Sequence, residues 1–193
     1  MGLNYTQLTE TTRRFMMQEF EQGGHYLSPR LNEAGRARWI TLLKDALQYH
    51  TDVWLERELI RRNCFAVSEY LKSSMGKTVT RAINREQAAK VLAEGEFNRF
   101  YLRGLCIGAK ARGLTHLIVT QGRIIPNAPP ASRKSVGTPV EVNALLAILR
   151  DHGYKHIDTA LGAPEGLPAP ACLSARLPGP GEAFALSQGH FKS

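Results

Sequence analysis

The sequence predicts an α+β protein: a helical N-terminal half packed with a small mixed sheet and two or three further helices, then an extended Pro/Gly-rich C-terminal arm. Apolar residues recur at helical spacing through the first 76 positions, and β-branched, alternating stretches appear only after them. Nine of the ten prolines lie at or beyond residue 126, where regular structure should thin out.

In chain order, Leu8, Phe15, Met16 and Phe20 outline a first helix that Gly23 and Gly24 should stop. Asn32 is a natural N-cap for a second, with Trp39, Leu42, Leu43, Ala46 and Leu47 along one face, the strongest amphipathic pattern in the chain. Thr51 or Asp52 should cap a third, running through Trp54, Leu55 and Leu59 as far as Tyr70. Trp39 and Trp54 read as core anchors. Residues 77–83, KTVTRAI, read as a strand, and Asn84 should cap a short helix ending near Ala93. A further helix over 94–112 precedes a strand at 115–121. A long proline-containing loop, 122–137, leads to Thr138-Pro139-Val140-Glu141, which predicts a helix start continuing to about His152. KHIDTAL and ACLSARL are candidate strands. The pattern suggests regions 1–76, 77–177 and 178–193, although the division near 76 is a change of pattern with no linker, compatible with one domain.

At 193 residues, 43% hydrophobic and 22% charged, the composition is that of an ordinary globular chain. No run approaches the roughly 18 to 20 apolar residues of a membrane span, and the N-terminus lacks an apolar signal core, so no membrane association is expected. MGLNYT matches a myristoylation pattern too short to carry weight. Cys64, Cys106 and Cys172 form no C-x-x-C pair and suggest a reducing compartment.

The formal charge is +8. Between Phe97 and Val140 there is no acidic residue but seven basic ones: Arg99, Arg103, Lys110, Arg112, Arg123, Arg133 and Lys134. Such a segment should attract a nucleic-acid backbone or an acidic protein surface. On a helical wheel with Arg99 at zero, Lys110 falls at about 20° and Arg103 at about 40°, a basic stripe. Phe97, Tyr101, Gly104 and Gly108 share the opposite side. Two glycines one turn apart in a helix interior cost about 1 kcal/mol each relative to alanine, so this face should meet another backbone closely. The aromatics therefore belong to packing, and the basic stripe is left for phosphate, an acidic partner or solvent.

Tests for chemistry are mostly negative. Gly76-Lys77-Thr78 ends like a phosphate-binding loop, but Leu71 occupies the place of its first glycine and a strand follows where a helix should open. His152 and His156, flanked by Asp151 and Asp158, have ligand chemistry, yet Gly153 interrupts their helix, and a histidine at a helix C-terminus is the simpler account. Cys106 lies between Arg103 and Lys110, where positive charge would favour a thiolate, but no base can be placed beside it. Glu56, Glu58 and Glu69 among Arg57, Arg61 and Arg62 read as surface pairing. No cofactor or metal is expected.

EGEFNRFYLRGLC and GTPVEVNALLAILRDHGYKHIDTALG resemble segments of small proteins of unassigned function from tailed bacteriophages and related mobile elements. The resemblance covers about the C-terminal half and transfers no functional residue. It implies a virion component, present in the host cytoplasm during assembly, or an early protein acting on host machinery or defence. The leading expectation is a non-enzymatic assembly protein, such as a head-to-tail connector or capsid-associated subunit, contacting copies of itself and other virion proteins. The alternative is a basic nucleic-acid-binding or defence-blocking protein; an enzyme centred on Cys106 or the two histidines ranks third.

Overall fold

A computed structural model describes residues 2–72, 78–123, 134–164 and 172–187. Helix α1 (Glu10–Glu21) starts where the Thr9 hydroxyl accepts from Thr12 N, and gives way to left-handed backbone at Gly23 and Gly24, with φ of 85° and 74°. Helix α2 (Glu33–Tyr49) is capped by Asn32, whose side chain accepts from Gly35 N. Helix α3 covers only Asp52–Arg61, not the predicted run to Tyr70. Asn63 turns the chain with a left-handed φ of 52°, a conformation asparagine tolerates. Phe65 then bridges to Leu31, and the chain becomes strand β1 (Ser68–Lys72), antiparallel to β2 (Thr78–Ala82).

Asn84 caps helix α4, but the short helix expected to end near Ala93 does not end there. It is continuous over Arg85–Lys110. Gly95 sits within it because the Tyr154 ring lies on that spot: a Cβ there would be 2.3 Å from Tyr154 Cδ2. Strand β3 (His116–Gln121) follows, flanked antiparallel by β4 (Pro139–Glu141) and β5 (Leu173–Arg176). The helix predicted from Thr138 starts at Val142 as α5 (Val142–Asp151), with Glu141 accepting from Asn143 N and Ala144 N as the cap. The Thr138 hydroxyl bonds Ser135 O instead, and residues 139–141 extend to pair with β3. KHIDTAL is likewise not a strand. It forms a 3₁₀ turn (Tyr154–His156) and helix α6 (Ile157–Ala160), which buries Ile157 and Leu161 one turn apart.

The described part of the C-terminal arm is helical, not extended: α7 covers Pro180–Ser187. Glu182 holds its start by accepting from Gly179 N and pairing with Arg176 on β5. The α+β class stands, with all described strand pairings antiparallel where a mixed sheet was expected. Arg133, the Gly76-Lys77 pair, prolines 126, 129 and 130, and residues 188–193 lie outside the described residues.

Helices α1, α2, α3 and α5 and strands β3 and β5 all pack against α4. From Phe97 to Cys106 every residue of this helix is buried, because α1, α3, α5 and β5 surround it. Such burial is the situation of a core helix, not of a surface one. Trp39 is fully buried in the same cluster, while Trp54 is half-buried and stacks on His50 with centroids 4.2 Å apart. Helix α1 crosses α4 at Gly104, where an added Cβ would lie 2.7 Å from Met16 Cγ, 3.0 Å from Met16 N and 3.1 Å from Thr12 O. At Gly108 the nearest atoms to an added Cβ are on the Phe15 ring, 3.4 and 3.5 Å away.

The two glycines should therefore respond with opposite signs. Gly104→Ala meets backbone, and overpacking of about 1–3 kcal/mol exceeds the helix-propensity gain of about 1 kcal/mol, lowering the urea midpoint. Gly108→Ala makes ordinary contacts and keeps that gain, raising the midpoint.

Candidate functional site

The structure disperses the six described members of the seven predicted cations. Arg99 and Arg103 are each 1% exposed and are among the largest fully buried side chains. The expectation of a free basic stripe on this helix is therefore corrected. The Arg99 guanidinium donates to both oxygens of Glu96 (2.8 and 2.7 Å), to Leu149 O (2.8 Å) and to Gly24 O (2.6 Å). Arg103 donates to Glu19 Oε2 (3.0 Å), Glu19 O (2.9 Å) and Gly23 O (3.2 Å). Both guanidinium groups lie against the Phe100 ring, at 4.9 and 4.6 Å. Arg150 reaches Glu19 from α5 with a second fork of hydrogen bonds.

Lys110 and Arg112 are exposed at the C-terminal end of α4, before β3; Arg123 and Lys134 lie toward the strand's other end. Six strand residues separate these positions by about 20 Å. Arg123 ion-pairs with Glu94 and has its guanidinium 3.5 Å from Cys172 Sγ. What is contiguous in sequence thus becomes an interior network and two separate surface positions.

The packing residues lie together. Phe97 and Tyr101 are buried and hold Tyr5 of the N-terminal segment between them, with centroids 4.8 and 5.0 Å away. A cleft of about 530 Å³ opens beside this segment, lined by residues 2–5, 51–53 and 121–123. Asp52 is buried there and accepts from Leu3 N and Val53 N. Burial raises the Asp52 pKa although those two bonds oppose it, and burial likewise raises that of Glu94 against the pull of Arg123. The Tyr5 hydroxyl is buried with no hydrogen bond of good geometry, and its pKa is pushed up by burial and then by the Asp52 charge. Both Asp52 oxygens clamp backbone, so the group works as a fastener for the N-terminal segment.

Cys106 is buried, and burial pushes its thiol up to about 12, opposite to the thiolate its charged neighbours in sequence suggested. Arg103 is turned away to Glu19. His152 and His156 have ring centroids 5.0 Å apart, but no group of three potential ligands is gathered for a metal among the described residues. Glu58 pairs with Arg61 and Arg62, whereas Glu69 is on β1 and pairs with Arg30.

The surface unlike the rest is the β1–β2 ribbon. All five residues of β2 are exposed, and Val67, Tyr70, Leu71 and Val79 are 69%, 78%, 40% and 50% exposed. An isolated two-stranded ribbon is marginal in water, and bare strand edges invite pairing. Sequence reading registered β2 but missed β1, since SEYLK has only a short alternation and follows a helical pattern. No family model, curated protein or solved structure matches the chain.

Arg99→Met strands Glu96, which is 0% exposed, and should cost about 3–5 kcal/mol in chemical denaturation, whereas Lys110→Met should leave the midpoint unchanged. Glu19 feels burial raising its pKa, but the hydrogen bonds from Arg150 and Arg103 outweigh this and hold it below the usual value. Its stabilising contribution is therefore present above the unfolded pKa of about 4.3 and lost as the pH falls through the lower folded one. Denaturation midpoints measured below that pH should fall steeply for the wild type and less steeply for Glu19→Gln.

Proposed function

We propose that the chain is a structural assembly subunit, acting by association with copies of itself and with other particle proteins. The β1–β2 ribbon carries this reading. It exposes apolar side chains and open backbone that no other element among the described residues covers. The resemblance to small tailed-phage proteins supplies the setting, a virion component such as a head-to-tail connector or capsid-associated subunit. No described helix is long and apolar enough to cross a membrane.

A second reading, binding to nucleic acid or another polyanion, is favoured by one observation. The buried pairs Glu19 with Arg103 and Glu96 with Arg99 cancel, so the full formal charge of +8 belongs to the remaining residues, Lys110, Arg112 and Lys134 among them. Association through phosphates would weaken steeply with salt.

Light scattering after size exclusion, at low and high salt and with or without short duplex DNA, separates the two. The assembly reading expects an oligomer that persists at high salt without DNA. A monomer at all concentrations that shifts only with DNA at low salt would replace it with the nucleic-acid reading.

A further inference from the structure

The ribbon has two edges, and they are not equivalent. Ile83 N donates to Val67 O, which marks Val67 and Ile83 as a hydrogen-bonded pair. Antiparallel pairs alternate, so Glu69 with Arg81 and Leu71 with Val79 point their backbone groups inward. The N–H and C=O groups of Ser68, Tyr70 and Lys72 then face out along β1, and those of Thr78, Thr80 and Ala82 face out along β2. The β1 edge is occupied at its base. Ala66 N donates to Arg30 O, Leu31 bridges Phe65, and the Arg30 guanidinium forks onto Glu69. Among the described residues no backbone group outside β1 bonds to the β2 edge, and all five residues of β2 are exposed.

Resting on the assembly reading, we infer that a second copy of this chain pairs with the β2 edge, β2 antiparallel to the partner copy's β2 about a two-fold axis at Thr80. Closed two-fold association makes the new pair antiparallel and gives each copy the same contact. Each Thr80 exchanges two backbone hydrogen bonds with its symmetry mate, and the result is a four-stranded sheet in the order β1-β2-β2-β1.

The side chains suit this register. On one face Tyr70 and Thr80 of each copy form a row, aromatic, threonine, threonine, aromatic, and threonine pairs across strands are favourable. On the other face the pairing puts Arg81 of one copy opposite Val79 of the other. Each row then reads Glu69, Arg81, Val79, Leu71, so two neighbours of opposite charge from one copy continue into an apolar pair from the next. No like charges stand directly opposite. Lys72 and Ser68 occupy opposite ends of the remaining rows, with Thr78 and Ala82 between them.

Proline tests which edge is used, since it deletes one N–H and is tolerated on an edge strand. Thr80→Pro removes an outward N–H from β2 and leaves the inward bonds between β1 and β2 in place; Tyr70→Pro does the same on β1. Circular dichroism checks that each variant is folded, and sedimentation equilibrium reads the association. Thr80→Pro loses two symmetry-related hydrogen bonds and should raise the dissociation constant about tenfold or more, with Tyr70→Pro matching wild type.

Cysteine variants give an answer that does not depend on the prolines. A hydrogen-bonded antiparallel pair has Cα atoms about 5.5 Å apart, within disulfide range, so Thr80→Cys should form a covalent dimer on mild oxidation while Tyr70→Cys and wild type do not. An oligomer unaffected by Thr80→Pro, together with no Thr80→Cys dimer, would overturn the β2 pairing and leave the assembly reading intact. A Tyr70→Cys dimer would move the contact to the other edge and also overturn it. A wild-type chain monomeric at every concentration would remove both.

Discussion

Four charged side chains buried together, Glu19, Glu96, Arg99 and Arg103, constrain the arrangement of everything around α4. A buried ion left without a partner costs several kcal/mol, so the fold must bring matching groups to each of them. The partners come from far along the chain. Glu19 arrives on α1, the carbonyls of Gly23 and Gly24 on the turn after it, and Leu149 O on the last turn of α5. The left-handed glycines matter here because they aim those carbonyls at the two guanidinium groups. Phe100 lies against both cations and closes the network from within the helix.

The same helix solves a second problem along the turns that face α1 and the N-terminal segment. Gly104 lets α1 approach to backbone contact, and Phe97 and Tyr101 wall the space that Tyr5 fills. With aromatic packing on one side and paired ions on the other, α4 has no free face over its central turns. This is why the chemistry its sequence advertised is spent internally. Arg99 and Arg103 orient neighbouring elements, and Cys106 is an inert buried thiol. Among the described residues, the ribbon and the separated cations at the two ends of β3 stay at the periphery.

Local signals were legible where a few neighbouring residues decide the conformation. Asn32 and Asn84 cap helices through their own side chains, and Leu42, Leu43, Ala46 and Leu47 are buried on the face their spacing indicates. Reading failed where a distant residue decides. Gly95 stays helical because Tyr154 packs on it, Thr138 gives up its capping role because residues 139–141 pair with β3, and α3 stops at Arg61 because Phe65 must reach Leu31. The buried polar link from Asn98 to Leu173 O and Ser174 Oγ, spanning more than 70 positions, left no sequence signal at all.

The sequence by itself determined the α+β class, the largely helical first half, the Asn32 and Asn84 caps, the close approach at Gly104 and the excess of positive charge, all of which follow from composition and from spacings within one or two turns. Only the tertiary structure decided where that charge goes. A guanidinium in a basic run reads as a surface group until a carboxylate 84 positions away is seen to meet it. Glu19 looks like any polar position of an amphipathic helix, and its partnership with Arg103 exists only because α1 crosses α4 at Gly104. Burial, and with it the difference between a binding surface and an internal strut, is a property of that crossing and of no segment alone.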